Sequence, residues 1–220
     1  MRLRTQKRTK WYILPIILVT LLLLGYVGFE AWRWYSLTHN PSPTISANTV
    51  TVSTDTPDET QPAEACDSYR VGPKVPRTIT IESIGVDGCI ERVGVDRNKL
   101  VAVPTNIHLA GWYEESVLPG EVGVSLIDGH VLGRYNDAIF AKLGTVTPGA
   151  VISIEFGDGS IKKFEIFSLN TYDLEKAQDE FLKQAQGVEK QLTLITCGGD
   201  FDRAAQTYNK RVIVQAKLVE

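Results

Sequence analysis

After its first ten residues the sequence is short of positive charge. Residues 1–10 carry five bases and no acid, so of the 23 bases in the chain only 18 remain against 26 acidic residues. A broad basic surface is therefore absent, which excludes nucleic acid as the expected partner. With 220 residues, 43% of them hydrophobic, we expect one folded domain of ordinary size with additional segments.

Charge is missing altogether from residues 11–29. A helix of that length spans roughly 28 Å, close to the thickness of a bilayer core. Aromatic residues flank the run, and the basic segment 1–10 before it indicates a cytoplasmic N-terminus. The pattern predicts a single-pass membrane anchor with the rest of the chain outside the cell. A cleaved signal peptide fits less well, because bulky residues 29–33 follow the run. A buried core helix fits less well because the run is not amphipathic.

Large apolar residues are scarce between residues 37 and 63, where 14 of 27 residues are Ser, Thr or Pro. Such a composition cannot bury enough surface to fold and is typical of a disordered stalk. As a flexible coil it spans about 30 Å, and up to about 90 Å when extended. The predicted organisation is a cytoplasmic segment (1–10), an anchor (11–29), an extracellular linker (30–74) and a folded domain (75–220).

The domain contains many short runs of β-branched and apolar residues bounded by Gly, Pro, Asn or Asp. Eight such runs predict a mainly β fold, a closed or nearly closed eight-stranded barrel. The turn at residues 157–160 predicts a hairpin. Residues 174–185 follow a helical period, and residues 138–143 suit a short turn. The eight predicted strands are 78–81, 89–95, 100–103, 123–127, 150–156, 161–169, 192–197 and 212–219.

The chain has only three cysteines, so one must stay unpaired if the others form a disulfide. Outside the cell cysteines usually pair, and Cys66 with Cys89 would link the end of the stalk to the domain. Cys197 would then be the free thiol. It lies at the end of a β-rich run, and Arg211 opens the next one. A cysteine at the end of a strand is commonly a small buried hydrophobic residue. A thiol and a cation at the ends of two strands also form a candidate reactive pair.

A reactive thiol needs a nearby base or cation, because the thiolate is the nucleophile. Of the three histidines, His39 lies in the predicted stalk and His108 in a loop. His130 follows the strand 123–127 through a glycine turn, which would place it at the rim of the sheet. We therefore expect His130 to accompany Cys197, and both His130 and Arg211 to favour the thiolate.

The sequence around these residues resembles the sortases, the cysteine transpeptidases of Gram-positive cell surfaces. The similarity extends from about Val75 to Val219 in consistent order and is greatest to the actinobacterial class F. The resemblance implies an eight-stranded β-barrel, in agreement with the strand count. The matching segments are Ile84–Asp87, Val93–Asp96, Ala110–Tyr113, Pro119–Gly123, Gly129–Val131, Leu194–Asp202 and Arg211.

By this resemblance Cys197 is the nucleophile, His130 the general acid and base, and Arg211 the group that holds the substrate and the oxyanion. Thr196 is either a helper of the oxyanion or an ordinary strand threonine. The implied substrate is a Leu-Pro-x-Thr-Gly sorting signal of a surface protein, cleaved between Thr and Gly. The implied acceptor is an amine such as a cell-wall precursor.

Two other activities fit the same residues: a thiol peptidase that hydrolyses its substrate, and an inactive barrel that binds peptides. His108 is a second candidate base, although a loop residue is the simpler interpretation. The acidic residues Glu121, Asp128, Asp200 and Asp202 lack the spacing of a calcium loop. We therefore predict no metal or other cofactor.

Overall fold

The computed structural model describes residues 13–39, 58–60, 66, 68–95, 101–202 and 207–220. A helix, α1, covers Ile13–His39, and a short helix, α2, covers Leu174–Glu180. The remainder contains eight strands, the number that the sequence predicted. They are β1 Pro76–Ile81, β2 Val86–Val93, β3 Ala110–Tyr113, β4 Gly123–Gly129, β5 Val151–Phe156, β6 Ile161–Asp173, β7 Lys190–Asp202 and β8 Thr207–Leu218.

The strands close into a barrel in the order β1-β2-β3-β4-β7-β8-β6-β5. Most neighbours are antiparallel, and β5 and β6 form the predicted hairpin. Two pairs are parallel, β2 with β3 and β4 with β7. Parallel neighbours need a long connection between them. The connection from β4 to β7 contains β5, β6 and α2, and it brings the ends of β4 and β7 to the same side of the barrel.

The interior is filled by one cluster of aliphatic and aromatic side chains, to which every strand of the barrel contributes. Phe140, Phe164, Ile79, Ile152 and Leu194 are fully buried in it. Burying each such side chain stabilises the fold by about 1.5–3 kcal/mol. A second, smaller cluster around Val93, Ala102, Tyr113 and Leu126 covers the outer face of the sheet.

The third predicted strand is wrong. Within the described residues 101–103 there is only an isolated bridge, between Val95 and Val101, and the third strand is Ala110–Tyr113. This strand has only four residues, and its first two, Ala110 and Gly111, are of types depleted in strands, so the local signal is short. It forms because β2 and β4 pair with its two edges. The second helix is also shorter than the predicted 174–185, since α2 ends at Glu180.

The predicted membrane anchor at residues 11–29 is not confirmed. Helix α1 continues to His39, beyond the expected end of the anchor. Within the part of the chain that the structure describes, no helix is long and apolar enough to cross a membrane. Residues 1–10 and most of the predicted stalk lie outside the described residues.

Parts of the segment expected to be a linker contact the barrel. Asp58, near the end of the Ser/Thr/Pro-rich run, forms a parallel bridge with Asn106. Tyr69 is buried, and its hydroxyl donates to the carbonyl oxygen of Ile90 on β2 at 2.9 Å. Burial raises the pKa of Tyr69 to about 12. Residues 58–60 and 68–74 therefore belong to the folded body rather than to a free stalk.

Cys66 and Cys89 form a disulfide, which confirms the pairing favoured from the sequence. Cys89 lies on β2 and is buried against Tyr69 and Leu109. The bond therefore ties the segment before the barrel to β2 and leaves Cys197 with a free thiol.

We expect the double variant Cys66→Ala/Cys89→Ala to lose about 3 kcal/mol of unfolding free energy, because the bond closes a loop of intermediate length. Urea unfolding of both proteins, with and without a thiol reductant, measures the loss. The unfolding midpoint of the variant should not change with the reductant, whereas the reductant should lower the wild-type midpoint towards that of the variant. Identical wild-type midpoints in the two buffers would contradict a stabilising disulfide.

Candidate active site

Cys197 and Arg211 lie directly opposite each other on neighbouring strands. The antiparallel register of β7 and β8 pairs Ile195 with Ile213 and Cys197 with Arg211. Residues at even positions of β7, such as Leu194, point into the barrel, so Cys197 projects from the outer face with Ile195. Opposed Cβ atoms in such a pair are about 5 Å apart. The thiol and the cation therefore share one surface.

The sequence suggested that Cys197 and Arg211 lie at the ends of their strands, and this prediction is wrong. Strands β7 and β8 continue past Cys197 and Arg211 to Asp202 and Thr207. The register shifts just beyond them, between Gly198 and Phe201. Such bulges bend a strand and re-aim side chains, and they are frequent beside active sites.

The backbone of His130 lies on the other side of Cys197. Strand β4 runs parallel to β7, and their last pair is Asp128 with Ile195. His130 and Cys197 each follow two residues later, so they continue the same register. Because neighbouring strands are about 4.8 Å apart, the three positions form a row with Cys197 in the middle. The register thus pairs Cys197 with Arg211 and places the backbone of His130 next to that of Cys197.

The imidazole of His130 is held by the carbonyl oxygen of Pro104, 2.9 Å from Nε2. A carbonyl oxygen only accepts hydrogen bonds, so Nε2 carries the proton and Nδ1 carries the lone pair. Burial lowers the pKa of His130, and the bond to Pro104 opposes that shift. The neutral imidazole is therefore the favoured form.

The thiol of Cys197 is also favoured in its neutral form. Burial raises its pKa, the charge of Arg211 lowers it, and the charge of Asp128 raises it. The expectation that His130 and Arg211 would favour the thiolate is therefore only partly correct. Arg211 acts in that direction, but desolvation of the thiolate outweighs it.

The guanidinium of Arg211 is held at the base of the β7–β8 extension. Its Nη1 donates to the carbonyl oxygens of Tyr208 at 3.0 Å and Lys210 at 2.9 Å. Its Nη2 lies 3.4 Å from the hydroxyl of Thr207. A guanidinium has five N–H groups, so these bonds leave donors for another oxygen.

A cavity of about 490 Å³ opens beside Cys197 and Arg211, between β4, β7 and α2, and Gly129, the residue before His130, contributes to its lining. Apolar side chains form most of its wall, including Tyr113, Leu126, Phe181 and Leu182. Cys197, Arg211 and Asp128 supply polar groups. A mostly apolar cleft with a few polar groups is typical of a binding site for a small ligand or peptide segment.

Comparison with known proteins identifies the family that has this arrangement. A family model of the sortase domain matches residues 79–219, which is more than half of the chain. The chain belongs to the sortase family. Sortases are cysteine transpeptidases, and the resemblance seen in the sequence is therefore confirmed at the level of the family.

Solved sortase structures agree with the fold. Sortase A from Corynebacterium diphtheriae, in a lid mutant, is 27% identical, covers 70% of this chain and 75% of its own, and has a TM-score of 0.51. Sortase C1 from Streptococcus agalactiae is 20% identical, covers 66% of this chain and 67% of its own, and has a TM-score of 0.50. At this identity the similarity shows a shared fold only. No curated protein matches the chain.

Two residues that the sequence left open have structural contacts in this sortase. The hydroxyl of Thr196 donates to the carbonyl oxygen of Gly129 at 2.7 Å and is buried, so it links β7 to β4 beside the active site. This contact favours the interpretation of Thr196 as a strand threonine. His108 lies near the disulfide, with Nε2 3.3 Å from the carbonyl oxygen of Glu59. Neither His108 nor His130 is in the lining of the cavity beside Cys197, so the register distinguishes them, because His130 directly follows β4, the neighbour of β7.

Asp128 was not recognised from the sequence as part of the site. Its side chain lines the cavity with Cys197, and its Oδ1 is buried without a hydrogen-bond partner among the described residues. Gly111 lies opposite on β3, where an added Cβ would overlap that oxygen. Burial and the charge of Glu91 raise the pKa of Asp128 well above its usual value. An acid at the end of a mostly apolar strand, residues 124–127, was the signal available in the sequence.

We expect the stability gain of Asp128→Asn over wild type to grow between pH 4 and pH 8. The pKa of Asp128 is higher in the fold than in the unfolded chain, so its contribution to stability is present below about 3.8 and lost as pH rises through the folded value. Every tenfold difference between the two ionisation constants corresponds to about 1.4 kcal/mol of stability. Urea unfolding of both proteins at the two pH values measures the difference.

Asp158→Asn is the matched control, because the pKa of Asp158 is lowered by hydrogen bonds from Ser160. The contribution of Asp158 to stability is present at high pH and lost in acid. The unfolding free energy of Asp158→Asn should therefore decrease relative to that of the wild type as pH rises. A pH-independent difference for Asp128→Asn would contradict the buried, neutral carboxyl.

Proposed function

We propose that this sortase cleaves a Leu-Pro-x-Thr-Gly-like signal between Thr and Gly and transfers the acyl fragment to an amine, such as a cell-wall precursor. The intermediate is a thioester on Cys197. The observation that carries the proposal is the register that pairs Cys197 with Arg211 across β7 and β8, beside the cavity, and continues from β4 to place His130 next to Cys197. The sequence motifs that resemble class F sortases support an assignment to that class as part of this proposal.

The first chemical step forms the thioester. The Sγ of Cys197 attacks the carbonyl carbon of threonine, and its proton moves to Nδ1 of His130, because Nε2–H is donated to Pro104. The C–N bond then breaks, and the same proton passes to the leaving glycine amine. The starting groups are a neutral thiol and a neutral imidazole, as the directions of their pKa shifts favour.

The second step reverses this sequence with a new amine. The acceptor amine attacks the thioester carbonyl and gives a proton to His130, the C–S bond breaks, and that proton passes to Sγ to regenerate the neutral thiol of Cys197 and the neutral imidazole. Arg211 supplies N–H donors for the oxyanion that forms in both steps. A planar, permanently charged guanidinium suits this task, since it donates without changing protonation.

The cavity suits the apolar part of such a signal. Tyr113, Leu126 and Phe181 form a wall for leucine and proline side chains, with Cys197 at the polar end. Four residues of extended peptide span about 13 Å. The Cys66–Cys89 disulfide supports a location outside the cytoplasm, because structural disulfides persist in oxidising compartments.

The test is incubation of the full chain with a library of Leu-Pro-x-Thr-Gly peptides and a free amine, with products read by mass spectrometry. We expect a product in which the amine replaces glycine. Cleavage with water as the only acceptor would show the hydrolysing thiol peptidase. No cleavage, together with failure of a thiol probe to label Cys197, would show a peptide-binding barrel and refute the proposal.

A further inference from the structure

A short segment before the barrel contacts both the loop that follows His130 and the segment that follows Pro104. This short segment, which we call the strap, consists of Asp58, Glu59 and Thr60. It lies far from His130 in sequence, in a region whose composition predicted disorder. None of the roles described above for Cys197, His130 and Arg211 includes it.

The backbone of the strap is paired with the segment after Pro104. The N–H of Asp58 donates to the carbonyl oxygen of Thr105 at 2.9 Å, and the N–H of Ile107 donates to that of Asp58 at 3.0 Å. The side-chain amide of Asn106 donates to the carbonyl oxygen of Thr60 at 2.9 Å. The strap therefore braces the residues that follow the hydrogen-bond acceptor of His130.

The side chain of Glu59 turns the other way, to the loop that follows His130. Its carboxylate accepts the N–H of Arg134, the N–H of Tyr135 at 3.0 Å and the side-chain amide of Asn136 at 3.4 Å. Glu59 is only 7% exposed. A buried carboxylate that accepts successive backbone amides forms strong, charge-assisted bonds and fixes the loop's shape.

Gly133 makes this contact possible. A Cβ at this position would lie 2.7 Å from Cδ of Glu59 and 2.9 Å from its Oε2, which is closer than such atoms approach. The loop also turns back through a bond from the N–H of Gly133 to the carbonyl oxygen of Asn136 at 2.8 Å. The loop is thus shaped around the carboxylate.

Since the strap holds the loop that follows His130 and the segment that follows Pro104, we propose that Glu59 is a positioning residue for the general acid and base of this sortase. It keeps Nε2 of His130 on the carbonyl of Pro104 and so presents Nδ1 to Cys197. This inference rests on the proposed function of His130. It adds a remote carboxylate, outside the barrel strands, to the groups on which turnover depends.

Glu59→Gln tests the inference, because it keeps the size of the side chain and replaces one acceptor oxygen by a donor. The matched control is Glu155→Gln on β5, a part-buried carboxylate paired with Arg77 on the opposite side of the barrel. In peptide-to-amine transfer by the full chain, we expect kcat to fall about tenfold or more in Glu59→Gln, with KM changed less than about twofold. The control should keep both constants.

NMR of the full chain labelled with ¹⁵N-histidine gives a readout that a purely structural loss would not move. The wild type and Glu155→Gln should show the Nε2–H tautomer for His130, whereas Glu59→Gln should show exchange between the two tautomers. Gly133→Ala displaces the same carboxylate from the loop side and should reproduce both effects, so the test does not depend on one variant folding.

Unchanged kcat and an unchanged His130 signal in the folded Glu59→Gln or Gly133→Ala variant would overturn the inference. So would a loss of equal size in Glu155→Gln. If the wild type transfers no acyl group, the proposed function fails, but the tautomer of His130 still decides whether Glu59 positions it.

Discussion

We expect Cys197→Ala to abolish acyl-enzyme formation and transfer while the barrel stays folded. The substitution removes the only free thiol of the chain, and no other group in the row of three can form a thioester. The position projects from the outer face of β7, so a smaller side chain leaves the core cluster intact. Mass spectrometry of the protein after incubation with peptide should show the acyl adduct in wild type and none in the variant.

Cys197→Ser is the matched control, because it keeps a nucleophilic atom of similar size with a much higher pKa. It should fold like wild type and react far more slowly. Denaturant unfolding should give Cys197→Ala a midpoint near that of wild type. Full transfer activity in Cys197→Ala would contradict the assignment of the nucleophile.

His130→Ala lowers kcat/KM by about 10²–10⁴, the usual contribution of a general acid and base. Without the imidazole, the thiol keeps its proton, because burial raises the pKa of Cys197. The leaving amine also loses its proton donor. Initial rates of peptide cleavage and amine transfer measure the effect, and both should fall together.

His108→Ala is the comparison for this prediction and should stay within a few-fold of wild type. Its ring contacts the backbone of Glu59, away from the cavity that holds Cys197. Equal losses in the two histidine variants would contradict the role of His130.

In wild type, kcat/KM should rise with pH below the ordinary histidine pKa of 6.5 and fall above the ordinary cysteine pKa of 9.0.

The barrel could be predicted because its signals are local. A β5–β6 hairpin follows from a glycine turn at Gly157–Ser160 between two alternating runs, and both conditions are visible within a few residues. The third strand could not be found this way. Ala110–Tyr113 is short and contains Gly111, and it becomes a strand only because β2 and β4 offer backbone partners on both sides.

Sequence motifs suggested the roles proposed for Cys197, His130 and Arg211, but they did not predict the environment of these side chains. Whether a buried site favours the thiol or the thiolate depends on desolvation by residues that are distant in sequence. Asp128 shows the same limit, since its buried carboxyl and the charge of Glu91 are brought together only across β2, β3 and β4. The composition around Glu59 even predicted disorder, whereas long-range backbone bonds to Thr105 and Ile107 order it.

By itself the sequence predicted the strand-rich domain and the candidate residues Cys197, His130 and Arg211, and it favoured the Cys66–Cys89 pairing that the structure then established. Periodicity, turn residues and motif spacing carry that information because each acts over a short stretch of chain. The tertiary structure alone decided that the three residues form one row, that Asp128 lies buried beside them, and that Glu59 holds the loop of His130. Those outcomes depend on register between strands and on burial, which arise only when distant segments pair.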